Sequence, residues 1–134
     1  MDEYVVGLLL RLVEIDTNSY ERKNYDRIVN LVENEAKKIG CRVEKVIDKK
    51  GIPHLIITLP NAPKEAKKIV FLAHYDVVPA GEGWDFDPFK PFIKNGRVYG
   101  RGASDDKSGI AAGLAAFKEI IEERITPRNN PVLI

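Results

Sequence analysis

Residues 69–76 read Ile69-Val70-Phe71-Leu72-Ala73-His74-Tyr75-Asp76. The first five are apolar without alternation, the pattern of a strand buried on both faces, as in parallel or mixed sheets. His74 and Asp76 follow at its C-terminal end. Positions two apart on an extended chain point to one side, so an imidazole and a carboxylate leave the strand together where open α/β sheets bind ligands.

Such a strand needs helices to cover it, and the flanking sequence provides them. Over residues 2–15, Val5, Leu8, Leu9, Leu12, Val13 and Ile15 recur at helical spacing, with Asp2 and Glu3 suited to the positive helix end. A second helix spans residues 22–39, with Tyr25, Ile28, Val32, Ala36 and Ile39 on one face and Gly40 as a left-handed stop. Residues 42–48 and 54–59 read as two β-branched strands turning through Lys49-Lys50-Gly51. Asn95-Gly96 marks a tight hairpin within residues 92–99. A glycine-rich link, residues 100–106, leads to a third helix over residues 107–124, stopped by Pro127. Pro131-Val132-Leu133-Ile134 reads as the start of another buried strand. The order is α/β, a mixed sheet flanked by helices.

The 134 residues, 44% of them apolar, suffice for one domain with a core. Basic and acidic residues number 21 and 20, a net charge of +1, with no basic stripe for nucleic acid. The single cysteine, Cys41, excludes an internal disulfide and reads as packing. The apolar run of residues 5–10 is cut by Arg11, which fits neither a signal peptide nor a membrane span. These features place the chain in the cytoplasm, away from membranes.

Two clusters carry possible chemistry. His74 and Asp76 on their own also fit a surface turn with an incidental ion pair. In Gly100-Arg101-Gly102-Ala103-Ser104-Asp105-Asp106-Lys107, two carboxylates stand at a helix start, where capping is the plain alternative. A dinucleotide fingerprint is disfavoured, because Asp105 replaces the third glycine and a hairpin precedes the loop. No Gly-x-Ser-x-Gly elbow turns Ser104 or Ser108 into a nucleophile. His54 follows Pro53 in the early hairpin and reads as an ordinary strand residue.

Residues 71–79, then Gly83-Trp84 through Asp87-Pro88-Phe89, then residues 96–109 resemble, in that order, the zinc-dependent amidohydrolases and peptidases that include acetylornithine deacetylase, succinyl-diaminopimelate desuccinylase, aminoacylase and glutamate carboxypeptidase. The resemblance implies His74 as a ligand of one zinc and Asp76 as the carboxylate that orients it. It implies Asp105 as the carboxylate bridging two metals, followed by a cis peptide to Asp106. Two zinc or cobalt ions sharing a water lower its pKa, so that hydroxide attacks an amide carbonyl near neutral pH.

The family's glutamate pair, its remaining ligands and its lid domain have no counterpart in these residues. The expectation is therefore a truncated, zinc-peptidase-like catalytic domain: its family hydrolyses N-acyl amino acids or small peptides, and the chain alone is inactive. The rival is a non-catalytic module that self-associates. The apolar strand start Pro131-Val132-Leu133-Ile134, returning beside residues 69–73, would leave an unfinished sheet border, which predicts a homo-oligomer.

Overall fold

The computed structural model describes residues 3–63 and 65–134. Helix α1 (Glu3–Val13) is followed by α2 (Tyr25–Lys38), β1 (Arg42–Ile47), β2 (Pro53–Thr58) and β3 (Lys68–Phe71). Then come β4 (Phe92–Lys94), β5 (Arg97–Tyr99), α3 (Lys107–Glu122) and β6 (Asn130–Leu133). The expected order holds throughout, with helix ends shifted by up to a few residues. Residue 2 of the expected first helix lies outside the described residues. The second helix starts at Tyr25, because Arg22 and Asn24 take left-handed φ values of 51° and 55° in the turn before it.

Four strands form one sheet in the order β1-β2-β6-β3. β1 and β2 are the expected hairpin, antiparallel from Arg42 opposite Thr58 to Ile47 opposite Pro53. β6 pairs antiparallel with β2 and parallel with β3, where Val70 lies opposite Val132. The sheet is mixed, as the sequence requires. A separate two-stranded ribbon joins β4 to β5 through Asn95 and Gly96, at φ 52° and 72°. Both centres are left-handed, the turn in which Asn-Gly matches the twist of paired strands.

The three helices share one core with β2 and β6. Leu8, Leu12 and Ile15 meet Ile28, Val29 and Val32 of α2, Ile110, Leu114 and Phe117 of α3, and Leu55, Ile57 and Leu133 of the sheet. β2 follows the period of a half-covered strand: Leu55 and Ile57 are buried while His54 faces solvent. At Gly113 an added Cβ would stand 2.8 Å from Leu133 Cδ2, so the missing side chain lets α3 lie close on β6. Cys41 packs at the edge of this core as a free thiol, its pKa pushed up to about 11 by burial.

The strand that decided the fold departs from expectation. Residues 69–73 were expected to be buried on both faces, yet Ile69, Val70, Phe71 and Leu72 are 44%, 53%, 52% and 79% exposed. Among the described residues β3 is the border strand, bonded to β6 on one side and to no strand on the other.

Candidate metal site

The parallel pairing of β3 with β6 carries the chain past Phe71 to His74, Tyr75 and Asp76 at the sheet's C-terminal edge. From the other direction, the link after β5 reaches the same edge just before α3. Gly102 makes that approach possible: its φ is 85°, and a Cβ there would lie 2.8 Å from Val77 Cγ1 and 3.2 Å from Lys107 Cδ. Only glycine tolerates both the conformation and the crowding.

The two clusters meet. His74 Nε2 lies 3.0 Å from Asp105 Oδ1. His74 Nδ1 lies 3.0 Å from the main-chain carbonyl of Asp76 and 3.4 Å from its carboxylate. A carbonyl only accepts, so Nδ1 carries a proton and the neutral ring would present its lone pair at Nε2. Asp76 stands behind the imidazole, its backbone carbonyl making a closer contact than its carboxylate. Burial lowers the His74 pKa, while the Asp76 carbonyl, the Asp105 hydrogen bond and both carboxylates raise it by more; the net shift is upward.

Helix capping does not account for the acids. Asp106 is the N-cap of α3 but its side chain makes no capping bond, and the Asp105 side chain turns outward to His74. The peptide between them is cis, as the resemblance implied. Gly109 leaves room for Asp106, since a Cβ there would be 2.6 Å from Asp106 Oδ1. His54 is separate: it is exposed on β2 and 3.6 Å from Asp48.

The donor types suit zinc, an imidazole nitrogen beside a carboxylate oxygen. Ligand atoms about 2.0–2.2 Å from a tetrahedral ion stand roughly 3.3 Å apart, so the 3.0 Å pair would need only a small opening. The number of donors falls short. Catalytic zinc usually takes three protein ligands, and the described residues hold no group of three or more His, Cys, Asp or Glu placed for a metal.

Sequence reasoning missed two residues behind this site. Lys107 is fully buried and donates from Nζ to the carbonyl of Ile15 at 2.7 Å. Its pKa is lowered to about 8 by burial, partly offset by Asp16. Thr17, also fully buried, donates its hydroxyl to the carbonyl of Tyr75 at 2.6 Å. Neither belongs to a periodic pattern; the one hint was a lysine directly after two acids.

Known proteins share this stretch of the chain. Residues 70–134, which include both clusters, match the model of peptidase family M20/M25/M40. That similarity extends over just under half of the chain. A succinyl-diaminopimelate desuccinylase of Sulfurovum sp. (strain NBC37-1) is 45% identical over 73 residues, 54% of this chain and 19% of that protein. An uncharacterized metallohydrolase of Methanocaldococcus jannaschii is 33% identical across 98% of this chain and 28% of its own length. Among solved structures, an M20 family metallo-carboxypeptidase from Sulfolobus solfataricus superposes with a TM-score of 0.84 at 28% identity, over 99% of this chain and 30% of that one. The chain thus spans less than a third of the length of each.

Proposed function

We propose that this chain is the portion of a two-zinc amide hydrolase that contributes His74 and Asp105 to the metals, with Asp76 behind the histidine. One observation carries the reading: Nε2 of His74, its tautomer set by Asp76, faces the Asp105 carboxylate at 3.0 Å across 31 residues of sequence. His74 would hold one ion and Asp105 would bridge two, with cobalt an acceptable substitute. A metal pair supplies a water acidic enough to act as hydroxide near neutral pH. The chain's own residues fix the ligands: the Asp76 carbonyl keeps the proton on Nδ1, and Gly102 lets the acid loop reach the histidine.

The substrate class is an N-acyl amino acid or small peptide, in keeping with the desuccinylase and carboxypeptidase relatives. A mostly apolar hollow of about 440 Å³ beside His74, lined in part by Tyr25, Leu72, Asp76 and Ile134, suits a small ligand with one polar end. Among the described residues, no acid beyond Asp76 and the Asp105–Asp106 pair stands out near His74 as a general base, a role worth about 10²- to 10⁴-fold. The 134-residue chain alone is therefore expected to release no amino acid from N-acyl substrates with zinc or cobalt. It should nonetheless bind zinc more tightly than its His74→Ala and Asp105→Ala variants by competition with a chromophoric chelator. Equal affinity in all three would remove the ligand assignment, and turnover abolished by His74→Ala would remove the inactive-fragment reading.

The exposed apolar border at β3 favours a second reading, a non-catalytic chain that self-associates. Zinc affinity that ignores His74, together with a dimer in solution, would favour it over the first.

A further inference from the structure

Two exposed side chains cannot fix one another's position. The His74 and Asp105 side chains are 51% and 90% exposed, and an ion pair in water is weak and screened. What holds them at 3.0 Å lies beneath.

Residues 15–19, between α1 and α2, bond to both loops. Asn18 forms a parallel bridge with Val77, the Val77 N–H donates to the Thr17 carbonyl at 3.0 Å, and the Ser19 N–H donates to the Val77 carbonyl at 2.9 Å. The Thr17 hydroxyl holds the Tyr75 carbonyl, in the peptide between Tyr75 and Asp76. From the opposite side, the Lys107 ammonium, one residue past the Asp105–Asp106 pair, holds the Ile15 carbonyl. The segment is itself tied down: Asp16 takes Lys23 Nζ at 2.7 Å and the Asn18 N–H at 3.2 Å, and Asn24 Nδ2 reaches the Asp16 carbonyl at 2.8 Å. Thr17 and Lys107 are both fully buried, where water competes least with such bonds.

We infer that residues 15–19 form a brace that sets the spacing of His74 and Asp105 before any metal arrives, with Thr17 and Lys107 as its positioning residues. The inference rests on the reading of His74 and Asp105 as ligands. Outer partners of this kind change metal affinity about 10- to 100-fold without touching the ion.

The test uses the 134-residue chain and its Thr17→Val, Thr17→Ser and Lys107→Met variants, with Phe117→Leu, at a buried position of α3 outside the hollow beside His74, as a control that weakens the core. Three quantities are read: melting temperature, the His74 ring nitrogen shifts of the metal-free chain by proton–nitrogen NMR, and the zinc dissociation constant. The Asp105→Asn variant supplies the ring shifts of a broken pair. Thr17→Val and Lys107→Met should move the ring shifts toward those of Asp105→Asn and weaken zinc about 10-fold or more. Thr17→Ser should restore both, and Phe117→Leu should lower the melting temperature with neither change. If Thr17→Val lowers the melting temperature but keeps the parent's ring shifts, the brace is refuted, whether or not Lys107→Met folds. If the parent binds zinc no better than His74→Ala, the ligand reading fails, and the ring shifts alone still decide whether the brace holds the pair.

Discussion

β2 and β3 are built from similar residues and end in opposite surroundings. Leu55 and Ile57 of β2 are buried under α2 and α3, whereas Ile69, Val70 and Phe71 of β3 are about half exposed. β2 lies between two strands; β3 has one. Apolar composition states what a segment can bury, and neighbours decide whether it does.

The sharpest way to break this comparison is by substitution on each side. Leu114→Ala, at a fully buried position over the sheet, should cost about 2–5 kcal/mol through lost transfer energy and an unfilled cavity. Val70→Thr on the border should stay within about 0.5 kcal/mol. Urea unfolding of both, at nanomolar concentration below the range of association, measures the contrast, and equal losses would mean that β3 is covered within the monomer.

Thiol reactivity sharpens it next. Cys41, with its pKa pushed up to about 11 by burial, carries about 10²-fold less thiolate near pH 8 than an ordinary cysteine. A cysteine placed at Val70 should therefore react with a disulfide reagent at least about 100-fold faster than Cys41 in the folded chain. Comparable rates would show that the core opens readily around Cys41.

Association follows from the same border. An exposed strand edge offers unpaired N–H and C=O groups, so light scattering at micromolar concentration should show a mass above the monomer, and Val70→Lys should return it to monomer. A clean monomer of the parent chain would show that the border tolerates water unaided.

The smallest expected effect is electrostatic and sits at the site between the two regions. His74 has a raised pKa in the folded chain. Its contribution is fully present below the ordinary histidine value of about 6.5 and is lost as pH rises through the raised value. Metal-free melting temperature should therefore fall slightly from pH 6 to 7.5, and Asp105→Asn should flatten that slope. The scan stops below pH 8, because Lys107, with its pKa lowered to about 8, acts in the opposite sense above that value.

Much of this was legible from local rules. Asn95-Gly96 demands left-handed turn geometry, so the ribbon of β4 and β5 could be read directly. The apolar spacing of α1, α2 and α3 marks the faces that meet in the core. The order of the motifs carried the resemblance to metallopeptidases, and with it the expectation that His74 and Asp105 meet.

Local rules could not reach three things. Exposure of β3 depends on which strand stands beyond it, a property of the whole sheet rather than of residues 69–73. The orientation of His74 rests on a backbone carbonyl, and carbonyls are the same in every residue, so no side-chain pattern could assign that role to the Asp76 backbone over its carboxylate. Thr17 and Lys107 join segments 58 and 92 residues away. Sequence by itself determined which elements form and which side chains could bind a metal, because those follow from spacing and chemistry along the chain. Only the tertiary structure decided what stands behind them, because a buried hydrogen bond between distant segments exists only once the chain has closed around it.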